Sequence, residues 1–312
     1  MNGSAGPVTV GTGYPRDLSP ADDSIPLDTM TRTEVLNDTG IDCVYISSAT
    51  GRHFDDCRAA LTAGKNILVE KPICLRADEV RELDALAHEQ GRTVFECLSY
   101  PYHPAWGAFV EEAALLARAP QVAITASFRI PERPAEDFRW AAEHGGAVAD
   151  LGTYCVDALL RLGAPASALR PSSVRSPGRE TGSVRASHDG ASTRTTYRGL
   201  WSIGERYENV VSVSDGIRRI ELERVFSFPP NFAPRIRRRR SVADDRTAAF
   251  TIAPANMTEL CLKTGSKHIV DPETTGVVHR DGILRRVSVL EAAATRAPTT
   301  RDGTLEETSH EH

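Results

Sequence analysis

Between Asp42 and Cys97 the chain alternates short apolar runs with amphipathic segments, and this alternation restricts the possible folds more than any other feature. The runs are CVYIS, NILVE and TVFEC. Between the first two, Arg52 to Ala63 gathers Phe54, Cys57 and Leu61 on one face and stops at Gly64. Between the second and third, Ala77 to Gln90 does the same with Val80, Leu83 and Leu86 and stops at Gly91. Helical periodicity closed by glycine marks a helix, and a continuous apolar run marks a strand covered on both faces. Parallel neighbours need a crossover of about this length, so half of a doubly wound parallel sheet is expected.

The flanks differ. The first 40 residues, rich in Gly, Pro, Ser, Asp and Thr, read as loop, with Val8 and Val10 the only hint of a strand. After His103 a helical stretch, Trp106 to Arg118, leads out of the first unit. QVAITASFRI, ENVVSVSDG and IRRIELERVFSF are β-rich, with turn residues and few helices between them, so antiparallel neighbours are expected. Two helices are expected in this half. One follows Gly146; the other lies near Arg285 to Arg296, where Val287, Leu290 and Ala294 recur at helical spacing. A chain of 312 residues accommodates two domains. The expected fold class is α/β plus α+β: an α/β domain over residues 1–104, incomplete at its start, then an α+β domain over 105–312 with a large mixed, mainly antiparallel sheet. The last helix is expected to return to the first domain.

Composition excludes several classes. A hydrophobic fraction of 40% with 25% charged residues fits a soluble globular protein. The net charge of -5 lacks the basic excess that displaces counterions from nucleic acid, so no nucleic-acid partner is expected. MNGSAGPVTVGTG has neither the positive start nor the apolar run of a secretory signal or membrane span, which implies a cytoplasmic protein with no membrane partner. Six cysteines without a C-x-x-C pair read as buried apolar residues, and no cluster has metal-ligand spacing, so no metal is expected.

In open parallel sheets, ligands bind beyond the carboxyl ends of the strands. SSATGRH, residues 47–53, and EKP, residues 70–72, follow two of the predicted strands. Lys71 precedes a proline, which keeps its backbone out of the helical region and its side chain at the strand's mouth. A third segment is HGGAVADLGTYCVDALLRL, residues 144–162. Helical from about Ala147, it would present Asp150, Tyr154 and Asp157 in one polar arc beside a packing stripe of Leu151, Cys155, Leu159 and Leu162. Bland readings stand beside these. Asp150 can cap its own helix, His53 can simply begin the helix after Gly51, and Tyr100, Tyr102 and Trp106 can be packing rather than pocket. The run Arg235, Arg237, Arg238, Arg239 and Arg240 suits a diphosphate, but also suits a solvated strand edge.

An EKP after a buried strand, followed about eighty residues later by GG-x-x-x-D-x-G-x-Y-x-x-D, resembles the glucose-fructose oxidoreductase and inositol dehydrogenase family. FRIPERPAEDFRWAAEHGGAVADLGTYCVDA and ERVFSFPPNF look most like its nucleotide-sugar 3-ketoreductases of deoxysugar and antibiotic biosynthesis. The resemblance implies a Rossmann-like first domain and a homo-oligomer built on the second sheet. It also implies NAD(P)-dependent reduction of a keto group on a sugar or nucleotide-sugar. Lys71 would polarise the carbonyl and Tyr154 would donate the proton, its pKa drawn down by the ammonium. Asp150, Asp157, Tyr100 and Arg139 would bind the sugar. Ser47, Ser48, Thr50, His53, Glu70, Lys71 and Pro72 would line the cofactor, NADP or NAD.

Relatives open with a strand, a G-x-G-x-x-G turn and a helix that holds the pyrophosphate. Here the nearest approach is VTVGTGYPRD, with Gly11 and Gly13 but no third glycine, and with Pro15 and Pro20 interrupting a helix. Two expectations compete. The chain is a ketoreductase with a divergent or wrongly delimited start, or it is a cofactor-free relative acting as a cyclase, isomerase, lyase or non-catalytic partner.

Overall fold

The computed structural model describes residues 30–176, 178–240, 247–271 and 276–295. VTVGTGYPRD lies outside the described residues. A short helix, α1 (Arg32–Asn37), stands where the sequence reads as loop; Thr31 and Glu34 form a reciprocal capping box that starts it. Then come β1 (Cys43–Ile46), α2 (His53–Thr62), β2 (Asn66–Glu70), α3 (Ala77–Glu89) and β3 (Val94–Cys97). The three strands pair in parallel in the order β1-β2-β3, with Val44 opposite Ile67 and Leu68 opposite Phe95.

Because side chains alternate along a strand, β2 buries Ile67 and Val69 on one face and Leu68 on the other. The first face packs on α2 and α3 through Cys57, Leu61, Val80 and Leu83. The opposite face packs on α6 (Met257–Val270) through Cys261, a helix absent from the sequence reading. After β3, α4 (Pro104–Ala114) leads to the larger sheet, beginning two residues before the expected Trp106.

That sheet has eight strands. They are β4 (Gln121–Ile130), β5 (Arg170–Ser176), β6 (Arg179–Asp189), β7 (Arg194–Ile203), β8 (Glu208–Ser214), β9 (Arg219–Glu223), β10 (Arg235–Arg239) and β11 (Thr247–Thr251). Their order is β11-β10-β9-β8-β4-β7-β6-β5, and every pairing is antiparallel except β4 with β7. The arginine run therefore lies on β10, inside β11 rather than at the edge, with Arg237, Arg238 and Arg239 paired to Glu223, Glu112 and Glu221. Those carboxylates take the three guanidinium groups. The strand predicted over IRRIELERVFSF ends at Glu223, where Arg224 turns the chain with φ 56°.

Helix α5 (Thr153–Arg161) packs across β4 and β7. The last helix, α7 (Gly276–Thr295), starts earlier than expected and serves both cores. Its Ile283 and Val287 join the core under the three-stranded sheet, while Val289, Leu290 and Ala293 join the core under the eight-stranded one. Five of the cysteines, Cys57, Cys74, Cys97, Cys155 and Cys261, are buried thiols, and Cys43 is half-buried. No described helix is long and apolar enough to cross a membrane.

Candidate active site

Lys71 leaves the end of β2 through a cis peptide bond to Pro72 and points toward the start of α5. Its Nζ lies 2.5 Å from Asp150 Oδ1 and 3.0 Å from the Asp150 carbonyl oxygen. The same nitrogen sits 4.7 Å from the centroid of the Tyr154 ring. The amine and the phenol, 83 positions apart in the chain, thus occupy one pocket. Phe128 of β4 and Phe226 wall the phenol ring, at centroid distances of 5.4 and 5.2 Å. Arg139 Nε holds the second Asp150 oxygen at 2.6 Å, and Asp137 holds Arg139 in turn.

The helix that carries these groups is not α-helical from Ala147. Val148–Gly152 is a π turn, and α geometry begins only at Thr153. Lys71 Nζ takes the Asp150 carbonyl, which in an α-helix would serve the amide of residue 154, and a group inserted into the ladder widens a helix in this way. The two glycines ahead of the turn have a local reason: Gly145 and Gly146 are left-handed, with φ 73° and 59°. A Cβ on Gly146 would stand 1.9 Å from the Arg175 guanidinium.

The π turn also breaks the arithmetic that put Asp157 in the same arc as Asp150. Asp157 faces inward. It accepts from the Tyr100 hydroxyl and Arg161 Nε, each at 2.6 Å, and from Arg286 Nη1 at 2.9 Å. Tyr100 is fully buried, edge-on to Trp106 and Phe226. Asp157 and Tyr100 satisfy each other and two arginines, so neither presents a polar atom to a sugar in this arrangement. Arg286 also pairs with buried Glu96, whose other oxygen accepts the Ile73 amide at 2.9 Å. A continuous chain of polar contacts therefore runs from the segment just after Lys71, through Arg286, to the helix that carries Tyr154. Sequence reading missed Glu96, Arg161 and Arg286; a buried strand bearing a glutamate was the available signal for the first.

The loop after β1 is built differently from a simple helix start. His53 is buried, with Nδ1 2.8 Å from the Pro72 carbonyl and Nε2 2.8 Å from the Ser48 carbonyl, so it ties SSATGRH to EKP. Ser47 is exposed, Thr50 opens a 3₁₀ turn, and Ser48 Oγ is buried without a partner among the described residues. The Gly51 amide donates to His144 Nδ1 at 3.2 Å, and a Cβ there would meet the Glu143 carbonyl at 2.1 Å. Only glycine allows that approach. Glu70 points toward β1, where the Tyr45 hydroxyl donates to it.

Electrostatics fix the protonation states. For Asp150, burial opposes ionisation, but Lys71 and Arg139 outweigh it and hold its pKa at about 2. For Lys71, burial works against the ammonium, yet Asp150, Tyr154 and Glu70 together raise its pKa above the ordinary lysine value. Tyr154 corrects the sequence expectation: burial raises its pKa, Lys71 only partly offsets this, and the net shift is upward. The phenol keeps its proton at neutral pH. Asp157 is also held ionised, with burial opposed and outweighed by Arg161, Arg286 and the Tyr100 hydroxyl.

Residues 20–97 match the oxidoreductase family with an NAD-binding Rossmann fold. A dTDP-3,4-didehydro-2,6-dideoxy-α-D-glucose 3-reductase of Streptomyces violaceoruber is 36% identical over 121 residues, 38% of this chain and 35% of that relative. The likeness is to the glucose-fructose oxidoreductase and inositol dehydrogenase family. A 3-reductase of the same name from Actinomadura kijaniata is 24% identical over 269 residues, 84% of this chain and 79% of the relative. A solved 3-ketoreductase from that organism, in complex with NADP and TDP-benzene, superposes with a TM-score of 0.73 at 23% identity, covering 85% of this chain and 81% of its own. An aldose-aldose oxidoreductase from Caulobacter crescentus gives 0.67 at 18% identity, covering 85% and 79%. At these identities the superpositions speak for the fold, and they match the expected pairing of a Rossmann-like parallel sheet with a large, mainly antiparallel one. Among the described residues no His, Cys, Asp or Glu cluster is arranged to hold a metal.

Proposed function

We propose that this chain reduces the keto group of a sugar or nucleotide-sugar with a nicotinamide cofactor, as a 3-ketoreductase of deoxysugar assembly. The observation that carries this reading is the placement of the Lys71 ammonium 4.7 Å from the Tyr154 ring, both fixed by Asp150 or its turn. A permanently charged amine stabilises an oxyanion developing on a substrate carbonyl, and a phenol that retains its proton has one to give. Asp150 and Arg139 keep the ammonium aimed, and Phe128 and Phe226 flank the phenol ring. The 3-reductase names of the relatives support the substrate class, and the NADP in the Actinomadura kijaniata structure supports the cofactor.

The loop after β1 fits such a cofactor. Ser48 Oγ is a buried hydroxyl with no described partner, at the carboxyl end of a parallel strand. Ser47, Ser48, Thr50, Lys71 and Pro72 would hold the group, with His53 bracing the two loops from behind. When bound, the nicotinamide supplies the hydride. A homo-oligomer formed through the eight-stranded sheet and a cytoplasmic location belong to the same proposal. The test is NADPH consumption with a 3-keto nucleotide-sugar. Replacing Lys71 with alanine is expected to lower turnover by about 10²- to 10⁴-fold. Unchanged turnover removes Lys71 from the chemistry.

A further inference from the structure

A cleft of about 470 Å³ lies away from Lys71, between α3, α7 and the segment entering β5. Three arginines reach it from three separate elements: Arg81 from α3, Arg170 from β5 and Arg285 from α7. Ser288 adds a hydroxyl, and the floor is apolar, with Leu169 and Val289 both buried. The volume falls in the range of small-molecule sites.

The charge balance is what singles this cleft out. The chain carries a net charge of -5, and where guanidinium groups line the mixed sheet they often sit beside a carboxylate, as Arg238 does with Glu112 and Arg175 with Glu180. None of the described residues lining the cleft is acidic. The nearest carboxylate to Arg285 is Asp281, at 3.9 Å, and neither Arg81 nor Arg170 forms an ion pair among the described residues. Arg170 Nη1 is instead anchored on the Ser167 carbonyl at 2.6 Å, which fixes that guanidinium at the rim. Like charges gathered around a concave, partly apolar site raise the local concentration of anions, and planar guanidinium forks match phosphate oxygens. A phosphoryl group offers three acceptor oxygens and nearly two charges, which suits three arginines lining one cleft better than a lone carboxylate does.

We infer that this cleft binds a small phosphorylated molecule whose apolar body lies on Leu169 and Val289. The site is separate from the Lys71 pocket and does not depend on the proposed reduction. Calorimetric titration of the full chain with inorganic pyrophosphate, then with a nucleoside diphosphate, tests it in wild type, Lys71→Ala and the double variant Arg81→Gln/Arg285→Gln. Both arginines are exposed, so the double variant is expected to keep the wild-type melting temperature. Pyrophosphate should bind wild type and Lys71→Ala alike and bind the double variant at least about tenfold more weakly. The binding that the double variant loses should be tighter for the nucleoside diphosphate than for pyrophosphate, because the former adds the apolar face of its base; any nucleotide bound at the Lys71 pocket is common to both proteins and drops out of that difference. Absence of saturable binding to wild type, binding indifferent to the two arginines, or binding lost with Lys71→Ala would each overturn the assignment. Equal affinity for the two probes would overturn the apolar-body half of it.

Discussion

At the scale of single residues, the site is a problem in keeping two protons where they are needed. Tyr154 must be neutral to act as an acid, and its pKa lies above the ordinary tyrosine value because burial outweighs the ammonium. Reduction should therefore be level through neutral pH and decline only at alkaline pH, beyond the range in which an ordinary tyrosine loses its proton. A pH–rate profile checks this, and Tyr154→Phe should abolish the decline along with most of the rate. Asp150 carries the opposite sign. Its folded pKa, about 2, lies below the unfolded one, so its contribution to stability is complete above the unfolded value and disappears as pH falls toward 2. Asp150→Asn leaves Lys71 and Arg139 buried with one carboxylate fewer. It is expected to cost about 3 kcal/mol in denaturant unfolding and to lower the Lys71 pKa. Lys71, Asp150 and Tyr154 were legible from spacing and resemblance. The use of Asp157 was not, because its partner Arg286 lies 129 residues away and no local pattern announces it.

At the scale of elements, α7 is the brace that joins the two sheets. Arg286 is 2% exposed and stands between Glu96, 1% exposed, and Asp157. Arg286→Met would take the bridging guanidinium away from two buried carboxylates, although Asp157 keeps Arg161, so thermal or denaturant unfolding should reveal a loss of about 3–5 kcal/mol. Helix α6 shows why part of the fold stayed hidden in the sequence. Its inward stripe consists of Cys261, Gly265 and His268, which recur at helical spacing but do not read as a hydrophobic face. Gly265 is there for contact: a Cβ would stand 2.7 Å from Leu68 and 2.8 Å from Phe95. Gly265→Ala should destabilise by about 1–3 kcal/mol through overpacking, read as a lower melting temperature. By contrast, β1 to β3 with α2 and α3 were plain, because their apolar residues follow the two periods cleanly. A mixed sheet was expected, but not that β4 and β7 are its parallel pair, because pairing across a long intervening segment leaves no local mark.

At the scale of the whole molecule, loops from a parallel sheet meet a helix lying on a mixed sheet, with the proposed reactive groups between them. The connection is physical: His53 ties the two strand-end loops together, Gly51 lets the first of them touch the turn before Gly145, and Arg286 links β3 to α5. Sequence periodicity located the two sheets; it did not reveal how closely they meet, since that depends on contacts between residues far apart in the chain. The most direct measurement compares NADPH oxidation by wild type and Lys71→Ala in the presence of a 3-keto nucleotide-sugar. Steady consumption by the wild type with a loss of about 10²-fold or more in the variant is the predicted result. Equal rates in the two proteins would contradict it.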